Sequence, residues 1–210
     1  MIEILEDIGE LIFGNKRQGA LKHFAKSKGF QYLRRVNPSL LPLEVQRMGF
    51  FEGSKSRSLK GMLTRSESEL NIKTMIFDYL HYHDFGNRTT TVFLYEYDKL
   101  GLPVFSIAPR SAFGKLSNIF SSTEWSAVDK TFDKNYTVSS VDMNVMRMMV
   151  TIQFAEVMNS LNGFTLEGSD QYLALYKTHS MADIIDMDNH HAAALEIIDI
   201  ILHDSSGELV

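Results

Sequence analysis

The sequence predicts an α+β fold: a mostly antiparallel sheet with packed helices, helices at the N-terminus, and a C-terminal strand–helix–hairpin–helix. Three observations predict it. Apolar residues recur at helical spacing within the first 28 residues and again from about Val141 to Leu161. Between Met48 and Pro109, β-rich runs alternate with turn residues. A hairpin pattern, "GFTLEG" and "QYLALYK" around "GSD", then leads into a last helical stretch.

Taken in order, Ile4, Leu5, Ile8, Leu11 and Ile12 stand between Glu3, Glu6, Asp7 and Glu10, a short amphipathic helix with an acidic face. Its charge disfavours docking on anionic lipid. A second helix is expected near Arg17 to Lys28, with Ala20, Leu21, Phe24 and Ala25 inward and Gly29 as its stop. Residues 37–45, with two prolines, read as an extended connection. "GFFEG", "SLKGMLTR", "LNIKTMIFDYLHYH", "TTTVFLYEYD" and "LPVFSIAP" read as about five strands, the third and fourth joined at "DFGNR". "SAFGKLSNIF" reads as a short helix, Asp129 to Asp133 as irregular, and "NYTVSS" as a strand.

A long helix is expected from about Val141 to Leu161 with Ser140 as N-cap. Met143, Met146, Val150, Phe154, Val157 and Leu161 form one stripe; Val145, Met148, Met149 and Ile152 form a second. So wide an apolar surface implies burial on most sides. The last helix is expected to open at "SMAD", where Ser180 and Asp183 have capping-box spacing, and to run towards Leu202. One domain spanning 1–210 is the simplest organisation, with 1–110 and 111–203 as possible lobes.

Composition narrows the function. The chain has 210 residues, 44% of them hydrophobic and 22% charged, with net charge −5 and no cysteine. This is a globular composition. The acidic balance, without a dense Lys/Arg run, argues against a nucleic-acid partner. The absence of cysteine removes disulfides, thiolate nucleophiles and zinc fingers, and fits a reducing, cytoplasmic setting. No secretory signal and no apolar run of about 18 residues is seen.

The stretch "MIFDYLHYHDFG" concentrates what chemistry there is. As a strand it places Met75, Phe77, Tyr79, His81 and His83 on one face and Ile76, Asp78, Leu80 and Tyr82 on the other. His81 and His83 are then neighbours, a pair able to share a metal with an acid such as Asp84 in a small metal-dependent hydrolase. The pattern departs from H-x-H-x-D-H: the Asp comes one residue early and the last His is missing. Half-exposed histidines beside a hairpin turn explain the pair without a metal. Asp78, between Phe77 and Tyr79, must be paired, hydrogen-bonded or protonated if buried; Arg57, Arg65, Arg88, a tyrosine hydroxyl or backbone amides are candidate partners. Asp78, His81, His83 and Asp84 are therefore the candidate catalytic residues. His190 and His191, adjacent on a helix, point about 100° apart. No G-x-S-x-G, phosphate-binding or dinucleotide-binding motif is present, so no cofactor is expected.

The "IFDYLHYH" strand followed by "TTTVFLYEYDKLGLPVFSIAPRS" resembles a family of bacterial proteins, a domain of unknown function with an F-D-Y strand and a following l-P-x-F-x-l-x-P strand. "FDKNYTVSSVDMNVMRMM" and "GFTLEGSDQYLALYK" resemble later passages of that family. The resemblance spans roughly residues 20–200. It implies no particular reaction and no catalytic residue. Some members carry membrane-spanning helices ahead of the domain; this chain departs from them with its acidic amphipathic segment, so a membrane-surface role, possible in the family, is not supported by this sequence. The resemblance points to a sensing or assembly module. The expected function is a non-catalytic binding or assembly module with a protein partner or a second copy. The alternatives are the hydrolase and an apolar-ligand carrier built on the Met-rich helix.

Overall fold

The computed structural model describes residues 16–51, 56–67, 71–83, 86–111 and 128–205. It is an α+β fold built on one eight-stranded, wholly antiparallel sheet. Helix α1 (16–28) leads into strand β1 (Gln31–Val36). A 3₁₀ turn (Pro38–Leu40), helix α2 (Leu43–Gln46) and a second 3₁₀ turn (Gly49–Phe51) follow. Strands β2 (Ser56–Glu67), β3 (Ile72–His83), β4 (Gly86–Glu96) and β5 (Leu102–Pro109) come next. Then come α3 (Lys130–Asn135), β6 (Tyr136–Ser140), α4 (Met143–Met149), α5 (Ile152–Ser160), β7 (Thr165–Asp170), β8 (Tyr172–Tyr176) and α6 (Met187–Ser205).

The strand order is β1-β2-β3-β4-β8-β7-β5-β6, so strands from both halves of the chain share one sheet. The late β7–β8 hairpin is inserted between β4 and β5. Alternation sorts the side chains to two faces. Ile72, Ile76, Phe93, Tyr95, Phe105, Ile107, Leu166, Leu173 and Leu175 meet Leu21 and Phe24 of α1, Phe132 of α3, Met146 and Met149 of α4, Phe154 and Met158 of α5, and Ile197, Ile198 and Ile201 of α6. The opposite face carries Leu59, Met75, Phe77, Tyr79, Val92, Leu94, Ala174 and Tyr176, covered by Leu41, Val45, Met48, Phe50 and Phe51.

Two glycines fix close approaches. Gly61 has φ +64° and sits in a β-bulge of β2, where a Cβ would fall 2.6 Å from Leu21 Cδ1. Gly168 lies opposite Phe105, and a Cβ there would fall 2.1 Å from the ring.

Several expectations are corrected. Gln31–Val36, between the second expected helix and the 37–45 connection, where the sequence predicts no element, is strand β1. Residues 37–45 hold a 3₁₀ turn and the start of α2, and the "GFF" of the first expected strand is a 3₁₀ turn. Asp129 to Asp133 is not irregular: the Asp129 carboxylate accepts from Phe132 N at 2.7 Å and starts α3. The single helix over 141–161 is two. Asp142, not Ser140, caps α4, and Thr151 restarts the chain as α5. The second apolar stripe is only partly buried: Met149 sits in the core, while Met148 and Ile152 are exposed. The last helix opens at Met187, after a turn over 183–186, and not at Ser180. The expected helices over the first fourteen residues and at "SAFGKLSNIF" lie outside the described residues.

Candidate functional site

Asp78 points to the helix-covered face and is 3% exposed. Arg17 of α1 grips it with two charge-assisted bonds, Nε to Oδ2 at 3.0 Å and Nη2 to Oδ1 at 3.1 Å. The hydroxyl of Thr91, opposite Asp78 in register, donates to Oδ1 at 2.7 Å. Arg17 Nη1 donates to the Ala182 carbonyl at 2.7 Å, and Ala182 N donates back to Thr91 Oγ1 at 3.0 Å. The carboxylate thus ties α1, β3, β4 and the 177–186 turn together. Neither Arg65 nor Arg88 is the partner among the described residues, and the Arg57 side chain lies outside them. Arg17 lies 61 positions away, and no local pattern announces it.

His81 lies on the other face and is 4% exposed, buried and not half-exposed as expected. Its Nε2 shares a hydrogen bond with Thr90 Oγ1 at 3.1 Å, and its ring meets Tyr79 and His179 edge-on at 4.2 and 5.5 Å. The backbone of His83 pairs with Gly86, while its side chain and the whole of Asp84 lie outside the described residues. Among the described residues no three His, Asp or Glu side chains gather to hold a metal.

A second polar cluster was not anticipated. Arg65 bridges Glu67 Oε1 (2.7 Å), the Lys28 carbonyl (2.7 Å) and His191 Nε2 (2.9 Å). Arginine only donates, so Nε2 accepts, and the Nδ1–H of a neutral His191 donates to Tyr95 Oη at 3.0 Å. Burial, and then the Arg65 charge, hold the His191 imidazole below its usual pKa. Burial pushes the Tyr95 phenol well above its own. The cluster looks catalytic in composition, yet Tyr95 and His191 are both buried, and it lines neither of the concavities described next.

Two concavities among the described residues adjoin these groups; a further one, about 450 Å³, lies between α5 and α6 and is lined by Glu156, Glu196 and Asp199. The first, about 380 Å³, is polar and lies between the end of α5, the 177–183 turn and the start of α6. Lys177, Asp183, Asp186 and His190 line it. The His190 ring packs against Phe164 at 4.6 Å, and burial lowers its pKa, Asp186 pulling the other way and Lys177 adding to the fall. Among the described residues its Nδ1 has no hydrogen-bond partner, so no carboxylate there holds the ring through Nδ1 as in a base that activates a nucleophile. The second, about 140 Å³, is mostly apolar and lies between α2 and strands β5 and β7. Its buried polar side chains are Ser106 and Glu167, register partners on the sheet face away from the long helices, and Glu44, Arg47 and Ser169 line it as well. Glu167 Oε2 accepts from Gly49 N at 2.7 Å. A carboxylate inside the apolar strand "FTLEG" is the same sequence signal that singled out Asp78, and it marks Glu167 too.

The chain matches no protein-family model and no curated protein sequence. Its fold is similar to the crystal structure of the mycobacterial trehalose monomycolate transport factor A, TtfA, with a TM-score of 0.62 and 13% sequence identity over 90% of this chain and 94% of that one. At that identity the likeness is one of fold.

Proposed function

We propose that the protein is a non-catalytic bacterial, cytoplasmic module that binds a ligand, a partner protein or a second copy of itself. The observation that carries this reading is the fate of its chemically able residues. Asp78 and His191 are each held in a buried hydrogen-bond network that spans several elements, and His81 is buried against Thr90. Such networks fix the fold more readily than they turn over a substrate. The fold likeness to a transport factor supports a binding or carrying role, as does the resemblance of the F-D-Y strand to bacterial domains without a known reaction. The acidic charge and the missing cysteines support a cytoplasmic setting without nucleic acid. Among the described residues no helix is long and apolar enough to cross a membrane.

The carrier alternative in its Met-rich form loses support: Met146, Met149 and Met158 sit in the core, and neither concavity is lined by them. Native mass spectrometry of protein isolated gently from its source, with metal analysis of the same sample, tests the proposal. A stoichiometric non-covalent companion and no stoichiometric metal are expected. Zinc, manganese or iron at one equivalent, lost in His81→Ala, would overturn the reading in favour of the hydrolase.

A further inference from the structure

The concavity of about 380 Å³ beside the end of α5 carries charges of both signs that do not meet. Lys177 follows β8, and its stem lies against Gly163, where a Cβ would stand 3.3 Å from Cε and from Nζ. Asp183 and Asp186 stand in the turn that precedes α6. Among the described residues these three side chains make no hydrogen bond and no ion pair, with one another or with any other group. All three are exposed, so a solute can reach them. The turn that carries the two carboxylates is nevertheless fixed. Arg17 Nη1 donates to Ala182 O at 2.7 Å, Ala182 N to Thr91 Oγ1 at 3.0 Å, Thr91 N to Ser180 O at 3.0 Å, and Asp186 N to Asp183 O at 3.1 Å. The buried Asp78–Arg17–Thr91 network therefore places the carboxylates before any ligand arrives, and such preorganisation lowers the cost of binding.

We propose that this concavity binds a dipeptide-sized zwitterion, with its ammonium on Asp183 and Asp186 and its carboxylate on Lys177. This inference rests on the binding-module reading and deepens it by naming a seat and a ligand class. Sign sets the first limit. A carboxylate only accepts hydrogen bonds and an ammonium only donates them, so the two aspartates call for a cationic donor and Lys177 for an anionic acceptor. His190, its ring packed on Phe164 and its pKa lowered by burial, adds no charge near neutral pH. With two anions and one cation on the walls, a lone anion is the poorest fit. Size sets the second limit. A cavity of about 150 Å³ holds one benzene of six heavy atoms, so this one holds roughly fifteen. Two small amino acids joined fill most of that, and one fills less than half. The remaining lining suits a peptide: Leu161, Phe164 and Met181 offer apolar contact to small side chains, and Ser160, Asn162 and Ser180 are neutral polar residues beside the ligand's amide. Because the charges are exposed, each contact is worth no more than about a fivefold change in affinity.

The test uses alanylalanine, its C-terminal amide, its N-acetyl form and free alanine, each titrated into the isotope-labelled full chain and followed by NMR. Saturable shifts at the Asn162, Lys177, Asp183 and Asp186 amides are expected with alanylalanine at millimolar concentration. The amide, which keeps only the cation, should bind about fivefold more weakly, and the N-acetyl form, which keeps only the anion, more weakly still. Lys177→Gln should bring alanylalanine down to the affinity of its amide, and Asp183→Asn with Asp186→Asn should abolish the shifts while the remaining spectrum stays native. Tight binding of the N-acetyl form, an unchanged ratio of dipeptide to amide in Lys177→Gln, or no saturable shift with alanylalanine would overturn the site. Alanine binding as tightly as the dipeptide would overturn the peptide and make the ligand a free amino acid. If the probes fail while native mass spectrometry still finds a companion, the site falls and the module reading stands. If the probes bind in a protein that proves to carry the hydrolase metal, the module reading falls and the site stands.

Discussion

The sheet face away from the long helices has two halves, and they are closed in different ways. Over β2, β3, β4 and β8 the 37–51 segment seats Phe50 against Phe51, Phe77, Tyr79 and Tyr176, with ring centroids 4.6, 6.3, 5.9 and 5.3 Å away. Over β7, β5 and β6 this face carries the register partners Ser139, Ser106 and Glu167 beside a recess. Aromatic packing closes the first half. The second half keeps an unsatisfied hydroxyl and empty volume. Proteins give up local consistency where something else is gained, so the difference separates the part of this face that holds the fold from the part that is left open.

The largest expected effect tests the packed half. Phe50→Ala should lower unfolding free energy by about 3–5 kcal/mol, as for other large buried aromatics. A shift in the urea midpoint equivalent to less than about 1 kcal/mol would show that the 37–51 cover is no more a core than the recess is.

Next comes the filled polar site on the helix face. Asp78→Asn keeps the shape but removes the charge that Arg17 and Thr91 grip. A loss of about 1–3 kcal/mol is expected. Unchanged stability with a lost cellular phenotype would move Asp78 from structure to function.

Acidification probes the Arg65–Glu67–His191–Tyr95 cluster. The folded state holds His191 below its usual pKa. The unfolded chain therefore binds the proton first, near pH 6.5. Stability is fully present above that pH and is lost as pH falls towards the depressed folded pKa. His191→Gln should flatten the slope of the urea midpoint between pH 7 and pH 5. An unaltered slope would mean that His191 is not held neutral.

The smallest effect is the most discriminating. Ser106→Ala removes an orphan hydroxyl and should leave stability unchanged or raise it by up to about 1 kcal/mol. Ser140→Ala is the matched control, because Ser140 Oγ donates to Val104 O at 3.1 Å and accepts from Asp142 N at 3.0 Å. It should cost about 1 kcal/mol. Equal costs at the two serines would show that the Ser106 hydroxyl is as well satisfied as that of Ser140.

Much of this was legible beforehand, for identifiable reasons. Strands β2 to β5 and the β7–β8 hairpin announce themselves by alternation and by turn residues such as Asp170, which adopts φ +54°. Strand β1 does not. It is an edge strand with a largely exposed pattern and two arginines, held by its backbone pairing to β2, which composition does not encode. The break between α4 and α5 rests on Thr151, a modest cap signal inside a continuous apolar pattern. Asp78 was legible as a buried carboxylate, but Arg17 was not legible as its partner, because only the docking of α1 on the sheet brings the two together. Glu167 carried the same signal as Asp78. The recess itself was not legible, since it depends on strand order.

That strand order also governs how the molecule assembles itself in time. Strands β2, β3 and β4 zip up as neighbours in sequence, and β7 and β8 close across a tight turn. The seam between them, Val92–Glu96 against Tyr172–Tyr176, closes a loop of roughly 75 residues. Relative to a hairpin of a few residues, that closure costs about 3 kcal/mol of chain entropy before any contact across it forms. The seam is therefore expected to protect its amides later than the β3–β4 ladder in pulse-labelled hydrogen exchange during refolding. The recess, walled by β5 and β7 on the far side of that seam, is then among the last features of the molecule to come into being.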